Sequence, residues 1–494
     1  MSERDRVPVG SPRSPSLPLS QPNTGSLLLP FFIGIVALSA LLGELPTLPI
    51  AIAYAGCSAA AFIMIWAWGG RGHVSGRTVF VLLLILSGFY GLTLGSITVA
   101  GISVFPYRIL LMLGLIGGIS LWLFKGARIG LTHHSLRWYY AFLGIWFAYG
   151  LLSLLWARYP ANTIHEMLLL GLALVLVVLV VENLSMESGL RHIEWLWIAT
   201  LSVFLILGMI EIRLGLHLRD KALPLVSRAA QFRPRGPFHN TNDFGTFLAL
   251  SVPFAMAWAA YGRRLSEYVV GCLLFCFSLY MIHATDSRAA MLAIIVEVLV
   301  FIMLVARGRP RRRFALTTGG LAVVAAVVLP GYYVGVIASL KSLMIQLDLG
   351  VGSAAVRLDL LRNALSALIS SYGFGLGAGN IEPWIAARGG AGQGVSSLHN
   401  WWGEMLANYG ILVFAGYVLF YLGLIRALLV ARRCVPIGWE RRICETLIVA
   451  LAGFSVASIS SSSIMALQVH WLLFAVALAF IHYMRRSGRG VRVS

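Results

Sequence analysis

The sequence predicts an all-α, polytopic membrane fold, and three observations carry that prediction. Of 494 residues, 59% are hydrophobic and only 12% are charged. The mean hydropathy is +0.84, and the apolar residues gather into runs long enough to cross a bilayer. No water-soluble domain tolerates that balance. A spanning helix needs about 20 apolar residues, because in lipid each backbone polar group must be satisfied within its own segment. About fourteen such runs are present, near residues 26–43, 47–67, 78–96, 108–124, 138–156, 164–181, 192–210, 243–261, 267–284, 289–306, 314–337, 405–430, 443–461 and 463–483. The breaks around 285–288 and 462 are short enough that the count could fall to about 12, giving an expected range of about 12–14 transmembrane helices.

Charge placement orients these spans, since short cytoplasmic loops collect Lys and Arg. With the N-terminus inside, the inner loops carry Arg71 and Arg77, then Lys125, Arg128 and Arg137, then Arg263 and Arg264. Arg307, Arg309, Arg311, Arg312 and Arg313 follow, then Arg432, Arg433, Arg441 and Arg442, and finally Arg485, Arg486, Arg489 and Arg492. Inverting the topology would move every one of these clusters outside, so both termini are expected in the cytoplasm. Most of the net charge of +19 is then the ordinary topological signal facing anionic lipid, and no nucleic acid is needed to explain it.

Five segments follow from this topology. Residues 1–25, rich in Ser, Pro and Arg, read as a disordered cytoplasmic arm. Residues 26–337 hold membrane helices with an outer loop at 212–242, and 338–404 form a large extracytoplasmic loop containing short helices. Residues 405–483 return to the membrane, and 484–494 form a cytoplasmic tail. No cleavage site precedes the first span, which is expected to be retained as an anchor. Cys57, Cys272, Cys276, Cys434 and Cys444 all fall outside the two large outer loops. Their placement implies neither a disulfide framework nor a zinc site.

The inside-positive clusters leave a second set of arginines that topology does not explain. Arg213, Arg219, Lys221, Arg228, Arg233 and Arg235 crowd one outer loop, and Arg357, Arg362 and Arg388 lie in the other. Arg288, in Thr285-Asp286-Ser287-Arg288, sits at the outer end of a span, where an ionisable residue is a functional candidate. Taken singly, most arginines of the first loop are as well explained by solvation or by snorkelling to lipid headgroups; Arg233 and Arg357 stand out by their surroundings, and Arg288 is intermediate because Asp286 could simply neutralise it. Taken together they suit an anionic ligand, because guanidinium forks match phosphate oxygens with paired charge-assisted hydrogen bonds.

Local patterns sharpen that reading. Arg233-Pro234-Arg235-Gly236-Pro237-Phe238-His239-Asn240-Thr241-Asn242-Asp243 runs into a span, and its Pro, Gly and Asn content marks a shaped turn. Ser353 to Ser370 predicts an amphipathic helix carrying Arg357. The run Gly373-Phe374-Gly375-Leu376-Gly377-Ala378-Gly379 follows no strand and opens no clear helix, so it is not a nucleotide fingerprint. Glycine there lets the chain approach a neighbour or a sugar closely. His399-Asn400-Trp401-Trp402-Gly403-Glu404 closes the second loop. A lone histidine is more often structural, but beside an outer arginine cluster His399 suits a general base for a hydroxyl nucleophile. Trp384, Trp401 and Trp402 could stack on sugar rings or anchor the chain at the interface.

Together these residues resemble the O-antigen ligase and polymerase superfamily of bacterial cell-envelope glycosyltransferases. The resemblance covers about Arg233 to Tyr483, with echoes at Pro106-Tyr107-Arg108 and Trp156-Ala157-Arg158-Tyr159-Pro160. Its carriers are the Arg233-Pro234-Arg235-Gly236 turn with Asn240 and Asn242, the Ser287-Arg288 pair, the Ser353-to-Arg357 helix, the glycine run, and His399-Asn400 ahead of Gly410-Ile411. The stretch from His399 to Trp402 with Glu404 looks closest to the teichuronic-acid type polymerases. Thr241 stands where the family commonly has proline, and Asn408-Tyr409 where an acidic residue is usual.

The resemblance implies a GT-C-like fold in the bacterial plasma membrane and a donor glycan on undecaprenyl pyrophosphate. It also implies an acceptor that is a glycan or a lipid, and transfer outside the cytoplasm without metal, nucleotide or other cofactor. Pyrophosphate is already a good leaving group, and the sequence offers no pair of outer carboxylates of the glycosidase kind. Arg288 and Arg357 are therefore expected to hold the donor pyrophosphate, with Arg233 as a third contact and Arg235 as its substitute. His399 would orient or deprotonate the acceptor hydroxyl for inverting displacement. Asn240, Asn242, Asn400 and Glu404 are expected to contact substrate or hold His399. A polymerase is the leading expectation, and a ligase of the same fold transferring the glycan to a lipid core or protein is the alternative. A flippase for lipid-linked sugars would also use cations, but transporters place charge near the midplane within repeats, whereas here the charge lies at one face and no repeat is visible.

Overall fold

The computed structural model describes residues 76–91, 97–99, 102–125, 136–215, 217, 232–262, 264–306, 341, 344, 352–390, 396–461 and 464–488. The arm at 1–25, the expected spans 26–43, 47–67 and 314–337, and Arg219, Lys221 and Arg228 lie outside them.

Every other expected span is a helix. In chain order these are α1 (Gly76–Tyr90), α2 (Pro106–Lys125), α3 (Arg137–Leu152), α4 (Pro160–Leu184), α5 (Glu187–Leu214), α6 (Thr241–Tyr261), α7 (Leu265–Thr285) and α8 (Arg288–Ala306). After the amphipathic α9 (Gly352–Ser370) and the short α10 (Ile381–Ala386) come α11 (Trp401–Cys434), α12 (Trp439–Ala457) and α13 (Gln468–Arg486). Among the described residues, 8 helices are long and apolar enough to cross a membrane. A minor departure from all-α is an antiparallel hairpin of β1 (Ile97–Val99) and β2 (Ile102–Val104), paired Ile97 to Val104 and Val99 to Ile102. Its β-branched residues, Ile97, Thr98, Val99, Ile102 and Val104, favour an extended pleat over a helix.

The molecule is a helical bundle built round α6. That helix is buried along almost its whole length, and its small residues explain why neighbours approach so closely. A methyl group on Gly245 would lie 2.9 Å from Ser287 Cβ, and one on Gly271 would lie 2.3 Å from the Ala259 nitrogen. Such small-residue contacts drive helix association where lipid removes the hydrophobic incentive. At the periphery α2 turns Met112, Ile116, Leu123 and Phe124 outward, as a lipid-facing helix does.

Two polar layers close the ends of the bundle. At one end Arg442 on α12 pairs with Glu194 on α5, Nη2 donating to Oε2 at 2.8 Å. Beside it Glu445 accepts from Arg432 at 2.7 Å, Arg441 at 3.0 Å and the Tyr261 hydroxyl. The other end gathers the α3–α4 corner, the turn before α6, the α7–α8 corner, α9, α10, the start of α11 and the segment after α12. The candidate site lies there.

Candidate active site

The turn before α6 is pinned by a residue the sequence reading did not single out. Glu211, buried near the end of α5, accepts the backbone N–H of Arg235 at 2.7 Å and of Gly236 at 2.8 Å through one carboxylate oxygen. Its other oxygen faces His217 Nδ1 at 3.2 Å. The Arg235 backbone is thus anchored and its side chain is half-buried. Asn240 caps α6, its Oδ1 accepting from Asp243 N and its Nδ2 donating to the Asp243 carboxylate, both at 2.9 Å. Asn242 lies half-buried in the first turn of that helix. Arg233 is exposed and reaches across to Asp286, 3.1 Å away, stapling this turn to the α7–α8 corner.

That corner is sharp. Asp286 takes a left-handed conformation, φ 57°, its N–H donating to His283 O at 3.0 Å, and Ser287 then launches α8 with Arg288 as its first residue. The close approach of Gly245 to Ser287 seats the corner on α6.

Arg288 and Arg357, 69 positions apart in the sequence, come within electrostatic range of each other here. Burial holds the Arg357 guanidinium below its ordinary pKa, and the nearby Arg288 charge pushes the same way. His399 lies within reach of Arg357's field. Its imidazole is held below the ordinary value first by burial and then by Arg357, while a hydrogen bond with the Ser461 backbone opposes them. Its Nδ1 is buried and without a hydrogen-bond partner. His399 also has a left-handed backbone, φ 49°, a conformation that persists only where its surroundings impose it. They do so from the next residues onward. Asn400 Oδ1 caps α11 by accepting Gly403 N–H at 3.2 Å, and Trp401 N–H donates to Ser458 O at 3.1 Å.

The segment after α12 joins these parts. Ser461 Oγ contacts Thr246 Oγ on α6 at 2.7 Å, and Ser460 Oγ lies 3.4 Å from Ser287 Oγ. The sequence reading placed Ser458, Ser460 and Ser461 inside a span. Their signal was present all the same, as a run of serines in an otherwise apolar stretch.

Glu404, half-buried in the first turn of α11, comes within electrostatic range of Glu166 on α4, Glu382 on α10 and Asp243 on α6. The sequence reading found no outer carboxylate pair because these groups come from four separate elements. The tryptophans also differ from expectation. Trp401 is 2% exposed and donates to the Tyr417 hydroxyl at 2.9 Å amid Trp146 and His470. It is a core residue, neither a sugar platform nor an interface anchor. Trp402 is half-buried, bonded to Ser455 O at 3.1 Å. Trp384 is buried under the Arg388 guanidinium, 3.5 Å from its ring centre.

The glycine run approaches a neighbouring part of the chain. α11 breaks at Gly410, φ 76° and ψ −178°, and the run fits the break. Leu376 and Gly377 N–H donate to the carbonyls of Ala407 and Asn408 at 2.9 and 3.0 Å, and Ile411 N–H donates to Gly373 O at 2.9 Å. On its other side Trp156 Nε1 bonds Gly375 O at 3.1 Å, and Ser153 Oγ accepts from Ala378 N at 3.1 Å. The Trp156-to-Pro160 echo is therefore the wall against which the run packs.

Two comparisons bear on identity. Residues 273–418 match a family model described as O-antigen ligase. Over 426 residues, 82% of this chain and 84% of the relative, the sequence is 30% identical to the teichuronic acid biosynthesis protein TuaE of Bacillus subtilis (strain 168). The matched segment contains Arg288, Arg357 and His399, the residues that the fold brings together at one end of the bundle, and the chain belongs to the O-antigen ligase family of membrane proteins.

Proposed function

We propose that this protein is a glycan polymerase that moves a growing chain from undecaprenyl pyrophosphate onto a hydroxyl of the next lipid-linked unit, on the extracytoplasmic face of the plasma membrane. The observation that carries this reading is the convergence of Arg288, Arg357 and His399. Two guanidiniums held together repel each other, and a pyrophosphate between them relieves that repulsion with bidentate hydrogen bonds. The same pair stabilises the charge that develops as the bond from the anomeric carbon to the phosphate oxygen breaks.

His399 is neutral at neutral pH, so one imidazole nitrogen is free to accept the acceptor's proton as its oxygen forms the new glycosidic bond. The glycan leaves the lipid pyrophosphate, which departs as the anion, and attack from the opposite face inverts the anomeric centre. Arg233 and the anchored turn flank the donor side, while Asn400 and Asn240 position His399 and the turn through their helix caps. Asn242, Arg235 and Glu404 lie at the same end, where sugar hydroxyls of donor or acceptor would contact them. Inward placement of both termini follows the arginine-rich loops. A role in teichuronic-acid-like polymer assembly is supported by the relative's name.

The family description also favours a ligase reading, and one assay separates the two. Purified protein is given a lipid-pyrophosphate oligosaccharide from its own host, and products are resolved by size. A ladder of lengthening lipid-linked chains supports the polymerase. Turnover only after a chemically different acceptor is added identifies a ligase and contradicts the polymerase.

A further inference from the structure

The amphipathic helix α9 has three faces instead of two. At about 100° per residue, Leu360, Ala364, Ala367 and Leu368 share one side, and all are buried against the protein. Leu358, Leu361, Leu365 and Ile369 share a second side, with exposures from 40% to 69%. The third carries Asp359, Arg362, Ser366 and Ser370, all exposed, with Arg362 and Asp359 paired at 3.2 Å. A helix in water has no use for the middle face. One lying at a bilayer surface needs all three, for protein, lipid and water.

Continuity says what covers the apolar stripe. It runs on through Tyr372, 91% exposed, and Phe374, 59% exposed, to Ile411 and Leu412, 53% and 76% exposed. Those last two open the membrane-crossing part of α11, whose Leu419 and Leu422 are also turned outward. The join is physical: a methyl group on Gly373 would lie 3.2 Å from Ile411 Cδ1, and Ile411 N–H bonds Gly373 O. α9 is also tied to the same end of the bundle, since Leu360, Ala364 and Ala367 pack in one cluster with Leu398 and Ala407, and Arg357 lies within electrostatic range of Arg288 at the start of α8.

We propose that α9 is an interfacial helix whose Leu358-Leu361-Leu365-Ile369 stripe is immersed among the acyl chains of the adjoining leaflet. The inference rests on the membrane-spanning bundle and not on the proposed transfer chemistry. Its consequence is depth. Arg357 is half-buried and falls on the protein-facing side, between the positions of Ala364 and Leu368, so immersion of the neighbouring stripe sets the depth of its guanidinium at headgroup level, where a lipid-linked phosphate resides.

The test uses the native protein in nanodiscs of phosphatidylglycerol and phosphatidylethanolamine containing a phospholipid with a photoactivated diazirine on its acyl chain. Labelled residues are mapped by mass spectrometry, with Leu419 and Leu422 as lipid-facing references. The expected result is labelling of Leu361, Leu365 and Ile369 comparable to those references and several-fold above Ser366 and Ser370. In the Leu365→Asp variant, labelling across the stripe falls several-fold while α11 is labelled as before. An unlabelled α9 beside a labelled α11 overturns the inference, whether water, a second copy of the chain or another protein covers the stripe.

Discussion

Arg357 and His399 are both pushed toward their neutral forms by burial, and each also feels a neighbouring positive charge. For His399 the sign is simple. An imidazole whose pKa lies below the ordinary value of about 6.5 stays a competent base at and somewhat below that pH. The rate is therefore expected to hold from neutral pH down through about 6.5 and to fall only below it; a pH–rate profile with its acid limb above that value contradicts the assignment. Arg357→Lys keeps the charge but loses the planar fork, and is expected to stay well below wild-type turnover in the same assay. At this scale the sequence suggested candidate residues but was silent about their partners. Arg288 and Arg357 stood out because the arginine-rich loops that orient the spans left them unexplained, and His399 because it closes the same loop as Arg357. Glu211, which holds the Arg235-Gly236 backbone, was not, because its only visible trait was a carboxylate near the end of an apolar helix.

Among the elements, α11 shows what an apolar run conceals. A straight helix from Trp401 to Cys434 would rise about 1.5 Å per residue and carry Tyr417 about 24 Å from Trp401. Yet the Trp401 indole donates to the Tyr417 hydroxyl at 2.9 Å, so the first segment folds back at Gly410. The sequence announced a span from 405 but not this reversal, because Asn408-Tyr409-Gly410 interrupts hydrophobicity too briefly to register. Gly410→Ala would place a methyl group 2.3 Å from Gly373 O at φ 76°. The backbone conformation alone costs about 1–3 kcal/mol for a residue with a side chain, so a clear loss of thermal stability in detergent is expected, with the clash adding to it. Asn400→Ala removes the cap that follows the strained His399, at about 1 kcal/mol. Turnover should fall with it, and Asn400→Asp, which keeps the acceptor, should restore both melting temperature and rate.

Across the whole molecule, the buried ion-pair network and the candidate site lie at opposite ends. The spans among the described residues were legible because bilayer thickness imposes one length on every crossing. Glu445, 1% exposed, is shared by Arg432 and Arg441 at the end away from the candidate site. Removing one partner from a buried ion pair leaves uncompensated charge, which costs about 3–5 kcal/mol. Glu445→Ala is accordingly expected to lower the unfolding temperature markedly while turnover per folded molecule is unchanged; loss of turnover in the still-folded fraction would mean that the two ends are coupled. What composition and spacing could not reveal was convergence, since the site draws on α6, α8, α9, α11 and the segment after α12, whose meeting depends on packing round α6.

The central claim is that Arg288, Arg357 and His399 act on one lipid-pyrophosphate donor. Its most direct test is the rate of glycan transfer from a purified lipid-pyrophosphate oligosaccharide, measured for wild type, Arg288→Ala, Arg357→Ala and His399→Ala, each first shown to be folded by its melting temperature. Each single variant is predicted to be slower by on the order of 100-fold or more, the loss typical when a charge-stabilising donor is removed. A folded variant of any of the three that transfers glycan at the wild-type rate would contradict the account.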